Sequence, residues 1–151
     1  MAQSLGKIYL HIIFHIKTTS CPILTEHIDR VHQYIGGLVN ATGCQVLCVC
    51  GTENHVHALI MFSRTETVAH VVEEMKRNSS RWIKTLSHAY ANFAWQGGYG
   101  VFSVSQSQVE TVVRYIKNQA EHHKKQSFHD EYLQFLDSYQ IQYDEQYVFS
   151  D

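Results

Sequence analysis

Three observations predict an α+β fold, a small antiparallel sheet with helices packed on one face. Strand-like and helix-like segments follow one another in the order βαββαβα. The second and third strand-like segments are joined by the short turn GTEN (51–54), which leaves room only for an antiparallel hairpin. The helix-like segments repeat apolar residues at helical spacing, so each has a face to bury.

The first segment, KIYLHIIFHIK (7–17), alternates and is rich in Ile, Tyr and Phe, which suits a strand. Thr25 is the expected N-cap of the first helix, in which Ile28, Val31, Ile35, Leu38 and Val39 recur at helical spacing until Gly43 ends it. CQVLCVCGTENHVHALIMFS (44–63) reads as the hairpin. Cys44, Cys48 and Cys50 share strand parity and are expected as small buried residues on one sheet face, with Cys21 apart; no paired CxxC motif points to zinc. A second helix carries Val68, Val71, Val72, Met75, Trp82, Ile83 and Leu86 as its apolar stripe. FAWQGGYGVFSVS (93–105) is a glycine-rich loop running into a fourth strand. A third helix spans 105–125, capped by Ser105 or Ser107, with Val109, Val112, Val113 and Ile116 inward. SFHDEYLQFLDSY (127–139) is a short last helix before a polar, aromatic tail. This order is that of the ferredoxin-like class, in one domain over 1–151 whose residues 130–151 form an acidic C-terminal helix and tail.

A chain of 151 residues with 44% hydrophobic content can bury a sizeable core. It contains no apolar run long enough for a membrane span and no signal-like start, so a cytoplasmic protein without membrane partners is expected. The formal net charge of −2 conceals an uneven distribution. Six acidic residues and no Lys or Arg fall between Asp130 and Asp151, which leaves 12 basic against eight acidic side chains on the body, a formal +4.

The chemistry centres on NHVHALI (54–60). On a strand, His55 and His57 project to the same side while Val56, Ala58 and Ile60 face the core. Two imidazoles are too few for a closed structural zinc site. The third helix offers Tyr115 and, one turn on, Gln119, whose amide oxygen is a hard ligand suited with two imidazoles to Mg²⁺ or Mn²⁺. A metal-polarised phosphodiester would be open to in-line attack by the Tyr115 hydroxyl. Spacing alone does not bring residue 57 to residue 115. A bare HxH in a chain with 11 histidines is also compatible with surface polarity at a sheet edge.

Together, HVH at 55–57, the helix with Tyr115 and Gln119, IYLHIIFHIK at 8–17, KRNSSRWIK at 76–84, WQGGYGVFSVS at 95–105 and QAEHHKKQSFHDEYLQFL at 119–136 resemble the single-tyrosine HUH transposases of bacterial insertion sequences and their REP-associated relatives. The resemblance implies a homodimer acting on single-stranded DNA that carries hairpins. It implies Tyr115 as the nucleophile, leaving a 5′-phosphotyrosine and a free 3′-OH, and His55, His57 and Gln119 as ligands of Mg²⁺ or Mn²⁺. DNA contacts are expected from Lys76, Arg77, Ser79, Ser80, Arg81 and Lys84 on the second helix, from Arg114 and Lys117 flanking Tyr115, and from Trp95 as a stacking platform. Each of these has an ordinary alternative, a solvated helix face for the charges and a brace of the glycine-rich loop for Trp95. His122 and His123 read as surface polar groups. Two other functions stay open, a non-catalytic nucleic-acid binder of the same fold and a hydrolase whose ion activates water.

Overall fold

The computed structural model describes residues 2–150. Four strands, β1 (Tyr9–His15), β2 (Gln45–Gly51), β3 (His55–Met61) and β4 (Gly100–Val104), form one antiparallel sheet in the order β2-β3-β1-β4. The helices between them are α1 (Ile28–Ala41) and α2 (Val68–Ile83), so the ferredoxin-like arrangement expected from the sequence is the one observed. After β4 come α3 (Val109–Lys117), α4 (Gln119–His122), α5 (Phe128–Ser138) and α6 (Glu145–Val148). Among the described residues, no helix is long and apolar enough to cross a membrane.

Strand alternation divides the molecule into two layers of contact. Leu10, Ile12 and Phe14 of β1 and Val56, Ala58 and Ile60 of β3 face α1 and α2, where they meet Val31, Ile35, Val39, Val71, Val72 and Met75 in the main core. Helices on one face thus describes α1 and α2. The segments after β4 cover the opposite face: Ile116 of α3 packs on Tyr9 and Leu59, and Tyr132 and Leu136 of α5 pack on Ile13 and Phe102. The surface that an open-faced sheet would show to water is therefore closed.

Local details differ from the sequence reading for identifiable reasons. Thr25 opens a 3₁₀ turn (Thr25–His27) and does not cap α1; the preceding amide, Leu24 N–H, donates to the Tyr90 hydroxyl at 2.9 Å. Thr67 does cap α2, accepting from the His70 amide, a contact worth about 1 kcal/mol. The cysteines do not share one face. Residue 47 is an extra residue between the Val46–Ile60 and Cys48–Leu59 pairs, a β-bulge that reverses the parity of the strand. Cys44 therefore lies in the α1/α2 core, whereas Cys48 and Cys50 pack with α3. The third helix is not continuous: a 3₁₀ turn (Gln106–Gln108) precedes α3, and Asn118, at φ −98 and ψ 21, interrupts the chain before α4. Ser105 and Ser107 bond to each other at 3.3 Å instead of capping.

The β2–β3 turn closes tightly, with Thr52 N–H donating to His55 O at 3.0 Å. A Cβ on Gly51 would stand 2.1 Å from that same carbonyl oxygen, a clash with backbone that no rotamer relieves. Gly51→Ala is expected to lower stability by about 2 kcal/mol or more, read as a drop in urea midpoint; an unchanged midpoint would show that the turn has slack. His32 on α1 supplies a second test. It is 7% exposed, its Nε2 has no hydrogen-bond partner among the described residues, and burial lowers its pKa to about 4, with Asp29 partly offsetting. The unfolded chain takes this proton near pH 6.5 and the folded chain only near 4. Between those values the unfolded state binds more protons, so stability falls with falling pH, by up to ~3 kcal/mol. His32→Leu should flatten the pH 4–6.5 stability profile by that amount.

Candidate metal centre and tyrosine site

The site grows out of β3. With its even-numbered residues committed to the core, His55 and His57 point to the α3–α5 face and are fully buried, their ring centroids 5.2 Å apart. Each ring is oriented from behind. His55 Nδ1 lies 2.7 Å from Asn54 Oδ1 and 2.9 Å from Thr52 Oγ1, which leaves Nε2 as the nitrogen turned into the site. His57 Nδ1 lies 2.8 Å from Nε2 of His11, which sits on the neighbouring strand β1 and is itself buried.

The opposite wall comes from α4 and α5. Gln119 is fully buried, with Oε1 3.0 Å from His55 Nε2 and 2.9 Å from His123 Nε2. Ser127 caps α5 and sets its first turn so that Glu131 faces inward, 1% exposed. Glu131 joins the two halves of the site. Its Oε1 lies 3.0 Å from His57 Nε2, 3.2 Å from His123 Nε2 and 3.8 Å from His55 Nε2. Its Oε2 accepts from the Tyr115 hydroxyl, lies 3.1 Å from His122 Nε2, and accepts from Gln119 Nε2 at 3.3 Å. A cavity of about 270 Å³ lined by Tyr115, His122, Gln126, Phe135 and Tyr139 borders the phenol.

Burial and local charge set the protonation states. Burial lowers the His55 pKa to about 3, and the neighbouring His57 adds to the effect, so the ring is neutral. Burial lowers His57 likewise, against the pull of Glu131, and lowers His11 well below the usual range. Burial opposes the charge on Glu131, but hydrogen bonding and charge interaction with His57, then the Tyr115 hydroxyl and His55, outweigh it and hold the carboxyl below its ordinary value. Burial, the hydrogen bond to Glu131 and its negative charge all push the Tyr115 phenol well above 10, so the resting hydroxyl keeps its proton.

The structure thus brings His55, His57, Gln119 and Tyr115 together, as the sequence alone could not. The ligand atoms of His55, His57, His123 and Glu131 lie within 4.8 Å of one another and could hold a metal ion. His122 and His123 are site residues, not surface groups, because the break at Asn118 and the short α4 turn them back toward Glu131. Glu131 escaped the sequence reading. Its signal was a lone acid within the inward stripe of Phe128, Tyr132, Phe135 and Leu136, a position where a helix otherwise places an apolar residue. It is one of the six tail acids, so that count overstates the negative surface.

The expected DNA contacts divide. Trp95 is a core residue, edge-on to Phe14 and Phe93, and its indole N–H donates to the buried Ser79 Oγ at 3.0 Å; neither side chain offers a stacking or phosphate-binding surface. Lys76 donates to Gln96 O at 2.6 Å and Gly98 O at 2.9 Å, bracing the glycine-rich loop, and burial lowers its pKa to about 8. Arg77 pairs with Glu73 and Glu74 along α2. Ser80 is half-buried, and Arg81, Lys84, Arg114 and Lys117 are exposed.

A family model described as "Transposase IS200 like" matches residues 4–119. Two solved structures share the fold. A candidate transposase from Deinococcus radiodurans R1 aligns with TM-score 0.60 at 19% identity, covering 79% of this chain and 98% of its own. A REP-associated tyrosine transposase bound to a REP hairpin aligns with TM-score 0.58 at 12% identity, covering 82% of this chain and 74% of its own. No curated protein sequence matches the chain.

Since Glu131 satisfies His57, His123 and Tyr115 at once, Glu131→Ala should cost on the order of 3 kcal/mol by leaving buried donors unpaired. The exposed neighbour Asp130→Ala should change stability by less than about 0.5 kcal/mol. Equal urea midpoints for the two variants would refute the central position of Glu131.

Proposed function

Because the chain belongs to the IS200-like transposase family, we propose that it cleaves and rejoins single-stranded DNA at hairpin-bearing ends, with Tyr115 as the nucleophile. The observation that carries this reading is the Glu131 carboxylate, which takes the Tyr115 hydroxyl on one oxygen and faces the His55–His57 pair with the other. A phenol in that position has both a proton acceptor and a neighbouring ligand cluster.

In the reaction, Tyr115 Oη attacks the scissile phosphorus and its proton passes to Glu131 Oε2. An O–P bond forms to tyrosine, the P–O3′ bond breaks, and the departing 3′ oxygen takes a proton from solvent and leaves as a hydroxyl. The product is a 5′-phosphotyrosine, and its ester keeps the bond energy, so a second 3′-hydroxyl can attack it and return the phenol. A divalent ion, Mg²⁺ or Mn²⁺, at His55, His57 and Gln119 would supply polarisation of the phosphate. The buried His55 Nε2 and Gln119 Oε1, 3.0 Å apart, fit such an ion, since both atoms can turn a lone pair to a cation between them.

We assign phosphate contacts to the exposed Arg81, Lys84, Arg114 and Lys117, and such contacts should weaken with salt. A hairpin-bearing strand is the substrate in this reading, in keeping with the hairpin held by the REP-associated neighbour. We assign the acting species as a homodimer.

Incubation with a hairpin-bearing single strand and Mn²⁺ should give a covalent protein–DNA band on a denaturing gel. Tyr115→Phe should abolish the band and leave DNA binding unchanged. Binding without any band would favour a non-catalytic DNA binder, and cleavage products that persist in Tyr115→Phe would favour a hydrolase.

A further inference from the structure

We propose that the ion-binding set extends beyond the strand pair and Gln119 to His123 of the α4–α5 connection and Glu131 of α5, making a centre of three imidazoles, one carboxylate and one amide oxygen that selects a late first-row transition ion over Mg²⁺. The inference rests on the reading above only in that an ion belongs at this site.

Geometry is the first argument. Bonds of roughly 2.1 Å place neighbouring ligand atoms about 3.0 Å apart at right angles and about 3.4 Å apart in a tetrahedron. The separations here are 2.9 and 3.0 Å from Gln119 Oε1 to His123 and His55. From Glu131 Oε1 they are 3.0, 3.2 and 3.8 Å to His57, His123 and His55. The ligand atoms of His55, His57, His123 and Glu131 lie within 4.8 Å of one another, and Gln119 Oε1 adjoins two of them, so a small inward shift of side chains would close them on one ion.

Support of the rings from behind is the second. His55 Nδ1 lies 2.7 Å from Asn54 Oδ1 and 2.9 Å from Thr52 Oγ1, while its Nε2 turns inward to Gln119 Oε1 at 3.0 Å. Both imidazoles of β3 turn one nitrogen inward and hold the other against a partner, Asn54 for His55 and His11 for His57. That is the outer support that metal-bound histidines require, and it serves no evident purpose in a cluster held by hydrogen bonds alone.

Donor chemistry decides the ion. Imidazole nitrogen suits Zn²⁺ and late first-row ions such as Co²⁺ and Ni²⁺, whereas Mg²⁺ and Mn²⁺ favour oxygen and Mg²⁺ retains water. Three nitrogens and two oxygens in a buried site therefore discriminate against Mg²⁺. The same carboxylate that ligates through Oε1 holds the Tyr115 hydroxyl through Oε2, so the ion and the nucleophile are separated by one carboxylate group.

The test is isothermal titration of the metal-stripped full chain with Zn²⁺, Mn²⁺ and Mg²⁺, with Co²⁺ absorption as a second readout. One tight equivalent of Zn²⁺ is expected, with Mg²⁺ at least 100-fold weaker. Visible Co²⁺ bands should appear without a thiolate charge-transfer band, which separates the site from Cys48 and Cys50. His123→Ala and Glu131→Gln should each weaken Zn²⁺ at least tenfold while circular dichroism stays unchanged. His123→Gln, which keeps an amide in place of the ring, guards against loss through misfolding and should weaken binding as well. Wild-type affinity in the His123 and Glu131 variants, parity between Mg²⁺ and Zn²⁺, or no stoichiometric ion would overturn the proposal. The titration needs no DNA, so an ion bound in this way by a chain that forms no covalent adduct would remove the strand-transfer reading and leave the metal site standing.

Discussion

The alternation of β3 is the constraint from which everything else follows. One seven-residue strand supplies Val56, Ala58 and Ile60 to the apolar core and His55 and His57 to the site on the other side. A slip of one residue in its pairing with β1 or β2 would exchange the two sets, driving imidazoles into the α1/α2 core and valine into the ligand cluster. The core therefore holds the site in register, and the tight turn at Gly51 fixes where that register begins.

Opposed electrostatic effects keep the other face together. A carboxylate with 1% exposure is costly to ionise by itself, and the imidazoles around it are pushed toward neutrality by the same burial. What stabilises the charge is the number of donors and dipoles aimed at two oxygens, from β3, α3, α4 and His123 just beyond α4. α5 is thus tied down by polar contacts at its first turn and by Tyr132 and Leu136 beyond it.

Features governed by nearest neighbours were legible in the sequence. The strand order, the hairpin turn, the inward parity of β3 and the apolar stripes of α1 and α2 all follow from periods of two or 3.6 residues, and all are observed. The histidine pair was legible for the same reason. Glu131 was not, because its meaning depends on residues 57 and 115 arriving from elsewhere in the chain, and an isolated acid on a short helix reads as solvated. Trp95 misled in the opposite sense: beside three glycines it reads as a loop aromatic, yet its bridge to Ile16, just past the end of β1, carries it into the core. Asn118 gave no warning, since nothing in NQAEHH forbids a continuous helix.

The single extra residue in β2 has a bearing on redox chemistry. Had the strand kept strict alternation, Cys48 and Cys50 would have followed Val46 into the apolar core. The bulge at position 47 turns them instead to the face of the imidazoles, where Cys50 is the direct cross-strand partner of His57. Soft sulfur donors consequently stand one strand away from a site built of nitrogen and oxygen. Burial raises Cys50 above its ordinary value and Cys48 to about 11, so both stay protonated at neutral pH and react slowly with oxidants. The hydrophobic packing of α3 over β2 is what keeps that sulfur chemically quiet.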